Sequence, residues 1–184
     1  MTETITSVGK FLDPLAIIPQ LGINKGDVVA DFGCGPGYFT FPLAQAVGHD
    51  GMVYAFDILP QALETVASKA KFAGINNIIT QRVNLEKQAG TRLAENLADW
   101  VILKDILFQN QEKQIIIKEA YRVLKAGGRV LVIEWSAKDL TIGPALGVRI
   151  AIDKLREMFT SENFAIEKEI EAGAFHNAFT AVKK

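Results

Sequence analysis

The sequence predicts an α/β fold, with a seven-stranded, mostly parallel sheet, an antiparallel last strand, and helices on both faces. From residue 27 onward, short runs rich in β-branched residues alternate with segments of helical periodicity. Alternating strands and helices with short connections form parallel sheets covered by helices. The last two apolar runs are joined by a few residues that include Gly173, which favours an antiparallel hairpin at the C-terminal end.

Seven segments are predicted to be strands because they are short, apolar and bounded by glycine, proline or polar residues. In chain order they are 28–31, 52–56, 78–83, 100–103, 129–133, 164–170 and 178–182. The fifth of them is a continuous apolar run, which is typical of a strand buried on both faces. The small residues at 126–128, directly before it, predict a turn.

Four segments have the apolar spacing of a helix that buries one face. They are 38–47, the segment from Pro60 to Gly74, 111–124 and 152–160. The first is expected to end at Gly48, and Pro42 is compatible with it only in the first turn, where a proline costs no helical hydrogen bond. Residues 1–26 and 136–150 show no clear period.

Composition restricts the possible functions. The 184 residues are 49% hydrophobic, which predicts one domain, 1–184, with a substantial core. A net charge of −1 argues against a dominant nucleic-acid-binding surface. One cysteine forms neither an intramolecular disulfide nor a cysteine-rich zinc site, so we expect no metal and a cytoplasmic location. We also expect no signal peptide and no membrane span, because no apolar run approaches roughly 18–20 residues.

A glycine-rich loop, Asp31-Phe-Gly-Cys-Gly-Pro-Gly37, separates the first predicted strand from the following helix. Glycines there allow a tight turn and a close approach of the backbone to a ligand. Asp57 follows Gly37 by 20 residues and ends the next strand. A carboxylate at that position can accept two hydrogen bonds from a ribose diol. Loop and acid together predict a ligand that contains a nucleoside.

The spacing of the glycines distinguishes two classes of nucleoside ligand. The loop reads G-x-G-x-G, whereas dinucleotide-binding loops read G-x-G-x-x-G, and Tyr38 stands where the third glycine of that pattern would fall. A bulky residue there hinders the approach of a pyrophosphate. The pattern therefore disfavours a nicotinamide-dependent enzyme and favours a ligand without phosphates, such as an adenosine that carries a sulfonium side chain.

Residues 28–40 closely resemble the first motif of the class I S-adenosylmethionine-dependent methyltransferases. Residues 53–57 resemble their second motif, and 121–134 are similar to the helix, turn and fifth strand of the ubiquinone/menaquinone-type (methyltransferase type 11-like) branch. His176 also matches that branch, in which a histidine often opens the last strand. The resemblance covers nearly the whole chain, and it implies a Rossmann-like sheet, S-adenosyl-L-methionine as cofactor and methyl transfer as activity. The cofactor-binding residues that it implies are Asp31, Gly33, Cys34, Gly35, Gly37, Asp57, Ile58, Asn84, Leu85 and Lys104.

The sequence departs from the family pattern at two places. Asn84 stands where an acid often lies beside the adenine, so adenine recognition is expected to differ. Lys104 and Asp105 follow the fourth strand, where methyltransferases of exocyclic base or glutamine nitrogens carry an Asn/Asp-Pro-Pro-aromatic run, and this argues against that subclass. Cys34 lies inside the glycine loop, which disfavours a cysteine-nucleophile mechanism.

The methyl acceptor is the least determined feature. By resemblance, selectivity belongs to an N-terminal lid segment, 1–26, with 11–18 as a candidate lid helix, and to a short insert, 136–151, with 142–147 as a second wall. Such a small cap suits a small apolar acceptor, a larger surface-bound one, or a site completed by a homodimer partner. Trp135 is a candidate wall of an apolar pocket, and Asp105, Glu134 and His176 are candidate bases.

The function predicted from the sequence is methyl transfer to a small molecule. Two alternatives stay open with the same cofactor. One is an RNA or protein methyltransferase, which the near-neutral charge disfavours for RNA without excluding it. The other is a non-catalytic scaffold that binds S-adenosylmethionine.

Overall fold

The computed structural model describes residues 11–138 and 142–184. Its strands are β1 (Val28–Phe32), β2 (Met52–Asp57), β3 (Ile78–Arg82), β4 (Ala98–Lys104), β5 (Leu124–Trp135), β6 (Phe164–Glu169) and β7 (His176–Lys183). They form one sheet in the order β3-β2-β1-β4-β5-β7-β6. Strands β1 to β5 pair in parallel, and β7 runs antiparallel to both β5 and β6. The predicted fold class is confirmed.

Within these described ranges, five α-helices connect or flank the strands. They are α1 (Pro14–Ile17), α2 (Thr40–Val47), α3 (Pro60–Phe72), α4 (Lys113–Val123) and α5 (Ile152–Ser161), and short 3-10 helices lie at Ile18–Gln20 and Leu146–Val148. Pro42 lies in the first turn of α2, as expected. No helix in the described ranges has both the length and the apolarity that crossing a bilayer requires.

The sheet separates two apolar cores, because successive side chains of a strand point to opposite faces. In β5, Val130 and Val132 belong to the core that α4 and α5 cover. Leu131 and Ile133 belong to the core that α1 and α2 cover. Helices therefore lie on both faces, and the central strands are buried on both sides, which explains why β5 is apolar without alternation.

The structure differs from the sequence-based prediction at residues 126–128, which lie inside β5 rather than in a turn before it. Leu124 pairs with Ala98 and Arg129 pairs with Trp100, so the four residues between Leu124 and Arg129 bulge opposite a single residue of β4. Gly127, at a φ of 74°, allows this bulge. The small residues thus mark an irregularity within a longer strand.

The candidate lid helix at 11–18 is shorter than its pattern indicates. Asp13 caps α1, which makes one turn and continues as the 3-10 helix that contains Pro19. A proline has no N–H to donate to a preceding carbonyl, and this prevents a longer regular helix there. Residues 1–10 of the predicted lid lie outside the described residues.

The order of the strands places a crevice between β1 and β4. From β1 the chain moves outward through β2 to β3, and it then returns to add β4 and β5 on the other side of β1. Ligands of open α/β sheets bind outside the carboxyl ends of the strands at such a switch point. The glycine loop after β1 and the Lys104–Asp105 pair after β4 both lie at this edge.

Candidate functional site

The glycine loop is held against β2 by its own backbone. The amides of Gly33 and Cys34 both donate to the carbonyl of Phe56, over 2.8 and 2.9 Å. Gly33, Gly35 and Gly37 all have positive φ, at 73°, 51° and 93°. The loop therefore needs glycine for its conformation at all three positions.

The three glycines differ in what surrounds them. A Cβ at Gly33 would lie 2.5 Å from the side chain of Ile106, and one at Gly37 would lie 2.5 Å from the ring of Phe41. A Cβ at Gly35 would meet nothing within 4 Å. Gly33 and Gly37 are thus required by packing within the protein, whereas Gly35 presents bare backbone to open space, where a ligand can approach it.

Asp57 lies beside this open backbone with its carboxylate already oriented. One oxygen, Oδ2, accepts from the amide of Gly35 over 2.9 Å, and Oδ1 accepts from the amide of Leu59 over 2.9 Å. A carboxylate oxygen accepts more than one hydrogen bond, so each keeps a lone pair for a ligand. The arrangement suits a vicinal diol, as the sequence predicts.

Asp31 lies beneath the loop and is only 3% exposed. Its Oδ2 accepts from the hydroxyl of Thr40, the first residue of α2, over 2.6 Å. Burial raises the pKa of Asp31 to about 6; the Thr40 hydrogen bond opposes this rise, and the charge of Asp57 adds to it. In this position Asp31 ties the loop to α2.

The predicted cofactor-binding residues Ile58, Asn84 and Leu85 divide into two environments. Ile58 is 53% exposed, and with Asn84 it lines a groove of about 510 Å³ directly after Asp57. Leu85 is buried in the core instead. The Oδ1 atom of Asn84 accepts from the amide of Glu86 over 2.9 Å, so its Nδ2 amide group is the part available to a ligand. Asn84 therefore offers a hydrogen-bond donor at a position where the acid common in the family would offer an acceptor.

Across the switch point, β4 ends in a charged pair. The ammonium of Lys104 contacts the carboxylate of Asp105, and the Nε2 of His176 lies within hydrogen-bond distance of Asp105 Oδ2, at 3.4 Å. Burial raises the pKa of Asp105, but the hydrogen bond from His176 and the charge of Lys104 outweigh burial and hold it below its usual range. Asp105 is therefore an ionised carboxylate.

The backbone of Asp105 is unusual as well. Its φ is 54°, a left-handed conformation that few residues other than glycine adopt, although aspartate tolerates it better than most. The amide of Asp105 donates to the carbonyl of Ile133 over 2.8 Å, which extends the pairing of β4 with β5. Strained backbone that its surroundings hold in place is typical of functional sites.

Glu134 of β5 is 1% exposed and lies below the turn that follows Asp105. Its Oε1 accepts from the amide of Leu107 over 2.6 Å. Burial raises the pKa of Glu134 to about 7; this amide hydrogen bond lowers it, and the charge of Asp105 raises it further. One carboxyl oxygen thus holds the turn, while the other, Oε2, makes no hydrogen bond.

Trp135 forms an aromatic wall of this region. Its ring lies 4.3 Å from the ring of His176, centroid to centroid. On another side it contacts Gly143, where a Cβ would lie 2.5 Å from the indole. The guanidinium of Arg149 lies 5.9 Å from the indole centroid. Trp135 therefore joins the end of β5 to the insert.

Arg149 is a residue that the sequence reasoning missed. Its guanidinium donates to four backbone carbonyls of the insert, those of Ser136, Lys138, Ile142 and Pro144. The predicted second wall at 142–147 is thus held by one side chain. No sequence signal identifies such a role, because any residue supplies a carbonyl. Residues 139–141 of the insert lie outside the described residues.

The described part of the N-terminal segment bridges the two sides of the site. The hydroxyl of Tyr38 donates to the carbonyl of Leu12 over 2.7 Å, beside the glycine loop. The rings of Phe11 and Phe175 lie 5.3 Å apart, just before β7. Tyr38, which disfavours a pyrophosphate at the glycine loop, therefore also anchors this segment.

Comparison with known proteins identifies the family of the fold. A family model described as a methyltransferase domain matches residues 23–180. A solved S-adenosylmethionine-dependent methyltransferase from Aquifex aeolicus superimposes with a TM-score of 0.86 at 21% identity, covering 95% of this chain and 91% of that one. A putative type 11 methyltransferase from Sulfolobus solfataricus gives a TM-score of 0.78 at 26% identity, covering 95% and 94%.

Curated relatives match a smaller part of the chain. The ubiquinone/menaquinone biosynthesis C-methyltransferase UbiE of Haemophilus ducreyi is 35% identical over 116 residues, which is 62% of this chain and 44% of that protein. A demethylmenaquinone methyltransferase of Anoxybacillus flavithermus is 30% identical over 121 residues, 66% of this chain and 50% of that protein. This chain spans about half the length of the curated relatives it matches.

Proposed function

This chain belongs to the class I S-adenosylmethionine-dependent methyltransferases, and from that premise we propose that it transfers the methyl group of S-adenosylmethionine to a small-molecule acceptor. The observation that carries the proposal is Asp57. Its two oxygens are oriented by backbone amides beside the open face of Gly35, at the edge of the sheet where ligands of this fold bind.

The residues present fit the cofactor. Asp57 would hold the ribose hydroxyls, Ile58 and Asn84 would flank the adenine in their shared groove, and the backbone at Gly35 would lie against the remainder of the molecule. The absence of packing partners around Gly35 supports this assignment, because a Cβ there would fill only space that a ligand can use.

Bound S-adenosylmethionine supplies a sulfonium-activated methyl group together with its leaving group. The chain must then hold the acceptor in line with that group and exclude water. Trp135, the insert held by Arg149, and the segment anchored by Tyr38 would line the acceptor side of the crevice. The net charge of −1 favours a small molecule over RNA.

The first experiment is a thermal-shift assay with S-adenosylmethionine, S-adenosylhomocysteine and NAD⁺. A ligand at 100 times its Kd adds about 2.7 kcal/mol to the free energy of unfolding, which raises the Tm of a domain of this size by roughly 5–11 °C. We expect that rise with the first two ligands only. A rise with NAD⁺ alone would overturn the cofactor assignment.

Methyl transfer itself is measured by the S-adenosylhomocysteine formed with a panel of small acceptors, with total RNA and with denatured protein as comparison substrates. We expect turnover within the small-molecule panel. Turnover only on RNA or protein would overturn the acceptor class. Cofactor binding without turnover on any substrate would identify a scaffold.

A further inference from the structure

Polar atoms without partners concentrate at one place in the molecule. Among the described residues, four side-chain nitrogen or oxygen atoms are buried and make no hydrogen bond, and three of them belong to neighbouring groups: Asp105 Oδ1, Glu134 Oε2 and His176 Nδ1. We refer to these three residues as the polar cluster. A buried polar atom without a partner costs free energy, so each requires an explanation.

The topology brings the polar cluster together from three adjacent strands. Asp105 directly follows β4, Glu134 lies near the end of β5, and His176 begins β7, where it pairs with Trp135. His176 touches Asp105, and the charge of Asp105 acts on Glu134. The cluster is therefore one site at the carboxyl end of the sheet, on the acceptor side of the switch point.

Asp105 presents a hydrogen-bond acceptor in the polar cluster. Because Asp105 is ionised, the Nε2 of His176 carries the hydrogen of the contact between them, which joins Nε2 to Asp105 Oδ2 over 3.4 Å. The other oxygen, Oδ1, makes no hydrogen bond and is a pure acceptor. This unpartnered atom thus needs a donor from a ligand.

The surroundings favour a neutral donor. Lys104 already contributes an ammonium to Asp105, so a second cation would meet electrostatic repulsion. The indole of Trp135 against His176 makes the adjacent wall aromatic. Lys104 and Asp105 retain partial exposure, with 30% and 15% of their side chains accessible, so entry lies at their end of the cluster. A hydroxyl group attached to an apolar body matches these features.

We propose, on the basis of the proposed function, that Asp105, Glu134 and His176 form the acceptor-recognition site and that they bind a hydroxyl group of the methyl acceptor. The hydroxyl donates its hydrogen to Asp105 and is thereby oriented beside the glycine loop. Ile106, the residue after Asp105, packs against this loop at Gly33. His176 and Lys104 position Asp105. Glu134 positions the turn by its hydrogen bond to Leu107.

The test uses the whole chain saturated with S-adenosylhomocysteine at a mildly acidic pH, at which 4-nitrophenol keeps its hydroxyl hydrogen. The probe is 4-nitrophenol, and 4-nitroanisole is the matched compound that lacks this hydrogen. Calorimetry is expected to show that 4-nitrophenol binds about tenfold more tightly, the effect of one hydrogen bond to a charged group. Asp105→Asn should remove that preference. Asparagine also tolerates the positive φ of this position.

Asp153→Asn is the matched control, because Asp153 lies on the exposed side of α5 and pairs only with Arg156 in the described structure. It should retain the preference for 4-nitrophenol. Equal binding of the two probes by the unaltered chain, no binding of 4-nitrophenol, or a preference that survives Asp105→Asn would each overturn the inference. Failure of S-adenosylhomocysteine to bind would instead contradict the proposed function, so the two failures are distinguishable.

A second readout does not depend on a variant. The chain has two histidines, His49 and His176, and the side chain of His49 is 94% exposed. Nitrogen NMR of histidine-labelled protein therefore gives one site signal and one internal reference. We expect 4-nitrophenol to shift the imidazole signal of His176 and to leave that of His49 unchanged. A bound probe that shifts neither signal would place the hydroxyl elsewhere and overturn the inference.

Discussion

The cofactor side and the acceptor side of the crevice satisfy their polar groups in different ways. On the cofactor side, backbone amides or a threonine hydroxyl occupy the carboxylates of Asp57 and Asp31. On the acceptor side, the polar cluster retains three unpartnered buried atoms within the described structure. The carboxylates of the proposed cofactor side thus have hydrogen-bond partners within the protein, whereas the proposed acceptor side has polar atoms that a ligand would satisfy.

Asp57→Ala should have the largest effect, because it removes the proposed contacts to the ribose hydroxyls. Loss of two charge-assisted hydrogen bonds is expected to weaken binding of S-adenosylhomocysteine by roughly 2–4 kcal/mol. Isothermal titration calorimetry measures this directly. Asp50→Ala, at an exposed turn, serves as control. Unchanged affinity of the Asp57 variant would remove the basis for assigning the ribose to this residue.

The pH dependence of the free energy of unfolding tests the environment of Glu134 on the proposed acceptor side. Its pKa is about 7 in the folded chain and near 4.5 when exposed, so the folded state binds more protons between these values and stability falls as pH rises through them. The full loss is about 3–4 kcal/mol, at about 1.4 kcal/mol per unit of pKa. Asp31 contributes a loss of the same sign, but that loss ends near pH 6.

Glu134→Gln should therefore remove most of the fall in unfolding free energy between pH 6 and 7.5, measured by urea denaturation. Glutamine retains an oxygen for the amide of Leu107, so the turn is preserved. Glu64→Gln, on the exposed face of α3, should keep the wild-type pH dependence. If the Glu134 and Glu64 variants show the same slope, the buried carboxyl is not the group that titrates.

The smallest expected effect is the loss of stability when Gly35 is replaced, and it contrasts with the loss at Gly33. Gly33→Ala combines a positive φ with a 2.5 Å contact to Ile106, and we expect it to lower the free energy of unfolding by about 2–3 kcal/mol. Gly35→Ala meets no neighbour, so its cost should be about 1 kcal/mol, while its affinity for S-adenosylhomocysteine should fall more than tenfold. Urea denaturation and calorimetry measure the two effects. Equal affinity of the Gly35 variant and the unaltered chain would show that the ligand does not approach there.

Sequence reasoning was most successful where the signal is local. The strands, the positive-φ glycines and Asp57 at the end of β2 could all be predicted, because each depends on residues a few positions apart. The turn predicted at 126–128 was wrong for a related reason. The small residues there do bend the chain, but pairing with β4 across the sheet keeps them within β5.

By itself, the sequence determined the order of strands and helices, the family and the cofactor, because spacing along the chain encodes them. Only the tertiary structure decided that His176 meets Asp105 across 71 positions, that Glu134 lies buried below the turn after β4, and that Arg149 binds four carbonyls of the insert. These contacts join segments distant in sequence. They depend on which strands lie side by side, and no short-range pattern records that choice.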